Sequence, residues 1–169
     1  MRIASAAELY AHAIAMEREA AARYAEFAQH MADLGSDAVA ALFDRLAGFE
    51  AEHQQALERR SEGVELPRLA LSQYQWLDVG APETAAHALV FRLMTPHQAL
   101  AIALEAERRA QAFFEHVQCS ADDPALRALA QEMTMEEKEH VAMIERALAR
   151  TPDPNIDWES VFGEKGAEK

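Results

Sequence analysis

The hydrophobic positions of this chain recur with helical spacing in four long segments. Each segment begins at a recognisable capping signal: Ser5 with Glu8, Ser36 after Gly35, Thr95 with Gln98, and Asp123 before Pro124. The sequence therefore predicts helices over about residues 6–34, 37–60, 96–119 and 124–150. Only a few residues separate the first helix from the second and the third from the fourth, so each pair should fold as an antiparallel hairpin.

A longer stretch, about residues 61–95, joins the two hairpins, as in bundles with a single crossover. We therefore predict an all-α, four-helix bundle in one domain over residues 1–152, followed by a C-terminal tail over 153–169. Within the crossover, residues 83–94 could form a short helix. We expect the aromatic cluster at residues 74–77 to pack against the chain itself. If the chain leaves it uncovered, it becomes a candidate dimer surface, and we expect a homodimer.

The two halves of the chain repeat each other. The first helix reads AIAMERE at 13–19 and the third reads AIALEAE at 101–107, while the second reads EAEHQQALER at 50–59 and the fourth EKEHVAMIER at 137–146. The interval from Glu17 to Glu50 is 33 residues and that from Glu105 to Glu137 is 32. Two similar hairpins packed about a pseudo-two-fold axis would bring equivalent residues together in the middle of the bundle.

The repeated residues include carboxylates and imidazoles at metal-ligand spacing. Glu50 and His53 are three residues apart, as are Glu137 and His140, so each pair lies on one face of its helix. Carboxylates can bridge two hard cations and neutral imidazoles can complete the coordination, a combination that suits divalent iron or manganese. The repeat supplies one further glutamate from each remaining helix, Glu17 and Glu105.

Glu17 gives strong support to a metal site, because the neighbours on its helix face are apolar or aromatic, including Ile14, Ala20 and Tyr24. Such a buried carboxylate is costly unless it is paired or bound to a metal. Glu19 and Glu107 also repeat, but two residues turn a side chain by about 200° around a helix, so we expect both on the solvated face.

At these residues the chain resembles a known family. The pattern Glu17-x-x-Ala20-x-x-x-Tyr24-x-x-Phe27-Ala28 is similar to the first helix of rubrerythrins and their ferritin-like relatives, and the two Glu-x-x-His helices resemble that family's second and fourth. The resemblance covers about residues 5–150 and implies a ferritin-like bundle with a non-haem di-iron centre. The implied ligands are Glu17, Glu50, His53, Glu105, Glu137 and His140, with Glu50 and Glu137 as bridges. It also implies that Tyr24 is hydrogen-bonded near the metals.

Two departures from the family pattern refine the expectation. Rubrerythrins carry a rubredoxin domain that holds iron through four cysteines, whereas this chain has one cysteine, Cys119. Electrons would then come from a separate donor protein. Rubrerythrins also carry an additional glutamate three residues after the third-helix ligand, where this chain has Arg108. This difference favours a plainer six-ligand site over a rubrerythrin-style peroxide reductase.

Composition narrows the classes of partner. The formal net charge of −13 argues against nucleic-acid and anionic-membrane partners, which require clusters of Lys and Arg. The chain lacks an uninterrupted apolar run typical of a signal peptide, so we expect a cytoplasmic protein.

The resulting hypothesis is a protein with two iron ions, or two manganese ions, in which Fe²⁺ reacts with O₂ or H₂O₂ as in a ferroxidase or peroxidase. Whether it turns over as an enzyme stays open at this point. The alternatives are a metal-binding or iron-storage module without turnover, and a metal-free bundle whose inward glutamates pair with Arg108 and Arg109.

Overall fold

The computed structural model describes residues 3–69 and 94–152, and these ranges contain four α-helices and no strand. Helix α1 spans Ala6–Asp33, α2 spans Asp37–Arg60, α3 spans Pro96–Ser120 and α4 spans Pro124–Leu148. Compared with the predicted bounds, α1 ends one residue earlier, α3 one residue later and α4 two residues earlier. The all-α, ferritin-like four-helix fold expected from the sequence is confirmed.

Local chemistry explains where the helices begin. The Ser5 hydroxyl accepts a hydrogen bond from the Glu8 amide, and the Asp123 carboxylate accepts one from the Ala125 amide. At α3, Thr95 and Gln98 form a reciprocal capping box, with Pro96 at the first helical position. These side chains satisfy amide groups that have no partner inside the helix.

The turn between α1 and α2 depends on Gly35. Its φ of 71° lies in the left-handed region, where a side chain is disfavoured. The Gly35 amide donates to the Ala32 carbonyl at 2.9 Å and the Ser36 amide to the Met31 carbonyl at 2.9 Å. This short reversal lets α2 pack closely back along α1, and α4 packs in the same way along α3.

The apolar core is divided into two clusters. The first contains Leu9, Met16, Leu57, Phe114 and Met133, and the second contains Tyr24, Phe43, Leu100, Ala103 and Ile144 among others. Both clusters draw on all four helices. Between them along the helices lie buried Glu and His side chains, so apolar packing stabilises the bundle on both sides of a polar centre.

Within the described residues, none of the helices combines the length and the apolar character needed to cross a membrane. Residues 70–93 and 153–169 lie outside the described ranges. The expected short helix at 83–94, the 74–77 dimer surface and the tail fall wholly or almost wholly there, and the domain division that includes them stays a prediction.

Candidate metal centre

All four helices contribute a carboxylate to the middle of the bundle. The four glutamates are 2–5% exposed: Glu17 on α1, Glu50 on α2, Glu107 on α3 and Glu137 on α4. The Glu-x-x-His spacing brings an imidazole to the same faces of α2 and α4, at His53 and His140. His140 is 3% exposed and His53 is only partly buried.

The potential ligand atoms form two overlapping groups. In the first, the ligand atoms of Glu17, Glu50 and His53 lie within 4.8 Å of one another, and His53 Nδ1 is 3.9 Å from a Glu17 carboxylate oxygen. In the second, the ligand atoms of Glu50, Glu107 and His140 lie within the same distance. Glu50 belongs to both groups, which is the placement that a bridging carboxylate requires.

His140 lies at the centre of the second group. Its Nδ1 is 2.9 Å from Glu50 Oε1, 3.4 Å from Glu107 Oε2 and 3.8 Å from Glu137 Oε2. Glu137, one helical turn before His140, is therefore within reach of the same cluster and is related to Glu50 by the repeat.

Burial and mutual repulsion shift the protonation of these groups strongly. Burial raises the pKa of Glu17 well above its usual range, and the nearby Glu50 and Glu107 add to this effect. Burial and the Glu107 carboxylate raise the pKa of Glu137 in the same way. Burial alone would also raise the pKa of Glu50, but interactions with Glu17 and His140 outweigh it and lower the value.

For His140, burial alone would lower the pKa, but the carboxylates of Glu107 and Glu50 outweigh it and raise the pKa to about 10. Without metal, these pKa shifts favour the protonated forms of His140, Glu17 and Glu137. Divalent cations could take the place of these protons, since ligands lose their protons when a metal binds.

Several buried polar atoms support this interpretation. Among the described residues, Glu17 Oε1, Glu50 Oε1 and His140 Nδ1 are each buried without a hydrogen bond of acceptable geometry, even though the last two lie 2.9 Å apart as an ion pair. Leaving a buried polar atom such as Glu17 Oε1 without a partner is costly, and the three atoms converge on the space between the helices. Carboxylate oxygens with imidazole nitrogens form a donor set that iron and manganese accept. The residues present therefore fit a dimetal centre.

Tyr24 lies beside this cluster, as the resemblance of its helix to the first helix of rubrerythrins implied. Its hydroxyl donates a short hydrogen bond to Glu107 Oε1, and its ring stacks on Phe43 with 5.8 Å between ring centroids. Burial and the adjacent Glu107 raise the pKa of the Tyr24 hydroxyl well above its usual range, so it keeps its proton and acts as a donor.

Glu105 is a correction to the predicted ligand set. It is exposed and forms a surface ion pair with Arg108 at 3.7 Å, whereas Glu107 occupies the buried position that Glu105 was expected to fill. The expectation that Glu107 faces solvent is therefore also wrong, because Glu107 is only 3% exposed. Two residues separate opposite faces of a helix, and the apolar stripe of α3 passes through Glu107.

A different alignment of the repeat would have found Glu107. Glu17-x-x-Ala20-x-x-x-Tyr24 on α1 corresponds to Glu107-x-x-Ala110-x-x-x-Phe114 on α3. Buried residues also recur at helical spacing along α3 through Leu100, Ala103, Leu104, Glu107, Phe114 and Val117. The AIA motif common to both helices instead favoured an alignment shifted by two residues.

With Glu107 as the third-helix ligand, the position to compare with the additional glutamate of rubrerythrins also changes. Three residues after Glu107 stands Ala110, not Arg108, and alanine provides no carboxylate there either.

The cluster is reached from two sides. Between α1 and α3 lies a cavity of about 40 Å³ that touches Glu17, Glu50, Glu107, Glu137 and Tyr24 and is otherwise lined by Met16, Glu19, Ala20, Ala106 and Ala110. Between α2 and α4 a wider hollow of about 470 Å³ is lined by both histidines together with Phe49, Glu136, Glu139, Ala142, Met143 and Arg146. The carboxylates thus face a small cavity and the imidazoles a larger, more polar one.

Comparisons with known proteins agree with this architecture. The rubrerythrin family model matches residues 8–148. A crystal structure at 2.00 Å of an uncharacterised conserved protein from Magnetospirillum magnetotacticum MS-1 is similar, with 34% sequence identity and a TM-score of 0.80. The similarity covers 90% of this chain and 99% of that one. No curated protein matches the chain.

Proposed function

The chain belongs to the rubrerythrin family, and from this premise we propose that it is a non-haem di-iron protein in which Fe²⁺ reacts with O₂ or H₂O₂. The observation that supports the proposal is the cluster of four buried glutamates with two imidazoles, in which Glu17, Glu50 and His53 form one group and Glu50, Glu107 and His140 the other.

Each residue of the cluster has a role in this proposal. Glu17 and His53 would hold one cation, Glu107 and His140 the other, and Glu50 and Glu137 would lie between them. Four carboxylates carry a charge of about −4, which two divalent cations would neutralise inside the low-dielectric bundle. Two such cations, when bound, supply the electrons for reducing an oxidant and open positions for its oxygen atoms.

The residues around the cluster determine what can approach it. The cavity between α1 and α3 has a volume of about 40 Å³ and ends at the glutamates. A cavity of about 10–15 Å³ is enough to hold one water molecule, so this space suits a small molecule such as O₂ or H₂O₂. The Tyr24 hydroxyl keeps its proton and donates a hydrogen bond to Glu107, which holds this carboxylate in position.

Electrons for repeated turnover would come from a donor outside these 169 residues, since their single cysteine cannot form an iron site of the rubredoxin type. Cys119 is exposed, near the end of α3.

The metal-free alternative depended on arginines pairing with the inward glutamates. Arg108 instead pairs at the surface with Glu105 and with Glu145, the latter at 2.9 Å. Within the described residues, the ion-pair partners of the buried glutamates are the histidines His53 and His140, and none is an arginine or lysine. This arrangement favours metal binding over a purely structural bundle.

Metal stoichiometry after anaerobic loading with Fe²⁺ and desalting tests the proposal. We expect about two irons per chain in the wild type and a clear loss in the double variant His53→Ala/His140→Ala. The matched control is His97→Ala/His116→Ala, which removes two imidazoles that lie outside the cluster and should retain the metal.

Mixing the loaded protein with O₂ or with H₂O₂ in a stopped-flow instrument then tests the reaction. Oxidation that is faster than that of free Fe²⁺ supports the proposed chemistry. Retention of two irons without faster oxidation would support a metal-binding module. Failure to retain either iron or manganese would contradict the proposal altogether.

A further inference from the structure

The two halves of the centre have different surroundings, although the repeat relates them. In the alignment of α1 with α3, Glu17 corresponds to Glu107, and Tyr24 corresponds to Phe114. The Tyr24 hydroxyl crosses the bundle to donate a hydrogen bond to Glu107. Phe114 is fully buried in the first core cluster and has no hydroxyl to offer in the reverse direction.

The consequence is visible at Glu17. Its Oε1 is buried and has no hydrogen-bond partner in the described part of the chain, whereas the equivalent glutamate on α3 is tethered. A carboxylate that accepts a hydrogen bond from a buried hydroxyl is fixed in orientation, and such outer partners tune metal affinity by about 10- to 100-fold. In the described part of the chain, Glu17 interacts with Glu50 and His53 but has no buried hydroxyl as a donor.

The histidines differ in the same sense. The His140 side chain is 4% exposed and lies within 4 Å of carboxylate oxygens from Glu50, Glu107 and Glu137. The His53 side chain is 23% exposed and lies 3.9 Å from Glu17. Both histidines line the hollow between α2 and α4. The half whose glutamate has no tyrosine hydroxyl as a donor is thus also the half with the more exposed imidazole.

We propose that the two cation sites are unequal, and that Tyr24 makes them so. The site of Glu107 and His140 binds cations tightly and exchanges them slowly, because Tyr24 positions its carboxylate. The site of Glu17 and His53 exchanges its cation quickly. Tyr24 is thus a positioning residue that acts through Glu107, and the inference rests on the dimetal function proposed above.

Anaerobic extraction of Fe²⁺ by a chromophoric chelator, measured on protein loaded with Fe²⁺, tests this inference. For the wild type we expect two phases, each releasing about one iron per chain, with rates that differ by about 10-fold or more. Tyr24→Phe removes only the hydroxyl and should accelerate the slow phase toward the fast one. Phe114→Tyr adds a hydroxyl on the opposite side and should slow the fast phase.

Two further variants assign the phases. His53→Ala should abolish the fast phase and leave a slow one, because it removes a ligand of the exposed half. Tyr10→Phe is the matched control: it removes the hydroxyl of another tyrosine of α1, one that interacts with Arg60 away from the centre, and should leave both rates unchanged. Circular dichroism checks that each variant is folded.

The outcomes separate this inference from the proposed function. Two irons released in one phase would overturn the inequality while leaving the dimetal function intact. Acceleration of only the fast phase by Tyr24→Phe, or loss of the slow phase in His53→Ala, would overturn the assignment. A wild type that binds no iron or manganese would contradict the proposed function, and the inference with it.

Discussion

At the scale of single residues, the charges of the buried centre make the metal-free protein sensitive to pH. The pKa of His140 is raised from 6.5 to about 10, and the pKa values of Glu17 and Glu137 are also raised, chiefly by burial. The folded state therefore binds more protons than the unfolded state as the pH increases, and its stability must decrease with pH.

The first prediction concerns this pH dependence. The stabilisation from protonated His140 is fully present below pH 6.5 and is lost as the pH rises through about 10, so the Tm of chelator-treated protein should fall across that window. Circular dichroism at several pH values measures it. His140→Gln should reduce the slope, whereas His116→Gln, on the exposed face of α3, should not. A Tm that increases over this range would contradict the assigned shifts.

The second prediction compares two glutamates of α3. Glu107→Gln should lower iron content by about one per chain, because it removes the carboxylate of one site. Glu105→Gln changes an exposed side chain whose surface pair contributes at most about 1 kcal/mol, and should retain the full content. Elemental analysis after Fe²⁺ loading decides between them. Loss of iron in Glu105→Gln with full content in Glu107→Gln would instead support Glu105 as the ligand, as the alignment of the AIA motifs predicts.

At the scale of helices, capping side chains set where each helix begins, and one matched pair isolates their contribution. The third prediction is that Thr95→Ala destabilises the protein by about 1 kcal/mol, since it removes the hydroxyl that accepts from the Gln98 amide. Ser36 caps α2 without a side-chain hydrogen bond, so Ser36→Ala should cost less. Urea unfolding measures both. Equal losses would show that the capping hydrogen bond is not the cause.

Helix starts could be predicted from sequence because they depend on neighbouring residues, as at Ser5 and Thr95. The inward face of α3 depends on the whole bundle and was harder to predict. Alanine is tolerated both in the core and at the surface, so an alanine-rich helix has little polarity contrast between its faces. Ile102 illustrates the problem: it is a large apolar residue close to Glu105 in the sequence, yet it is 40% exposed.

The contact between Tyr24 and Glu107 joins residues 83 positions apart in the chain. No local pattern specifies such a pair, and only a correctly aligned repeat could have suggested it. By contrast, the Glu-x-x-His pairs of α2 and α4 are local, and the structure brings Glu50, Glu137 and both histidines together as the spacing indicated.

At the scale of the whole molecule, the polar centre is stable because it lies between two apolar clusters formed by the same four helices. The two hairpins pack tightly within themselves and approach each other less closely. The cavities on either side of the centre lie between helices of different hairpins. The packing of one hairpin against the other therefore determines access to the cluster.

The fourth prediction uses this geometry to identify the oxidant's route. Ala110 lines the small cavity that reaches the glutamates, and Ala142 lines the hollow on the histidine side; both are half-buried. Ala110→Leu should fill the small cavity and slow the reaction of loaded protein with O₂ or H₂O₂ about 10-fold or more, a barrier increase of about 1.4 kcal/mol. Ala142→Leu, which adds the same side chain, should leave the rate nearly unchanged.

Iron content, measured on both variants before mixing, shows whether a substitution alters the access of the oxidant or the binding of iron. An oxidant rate that falls in Ala110→Leu at full iron content identifies the gap between α1 and α3 as the route. A rate that falls only in Ala142→Leu would instead identify the histidine side, and the wider hollow would then admit both cation and oxidant. Because the narrow cavity ends at Glu17 and Glu107, the first result would also explain why small residues stand at Ala20, Ala106 and Ala110: larger side chains there would close the path to the carboxylates.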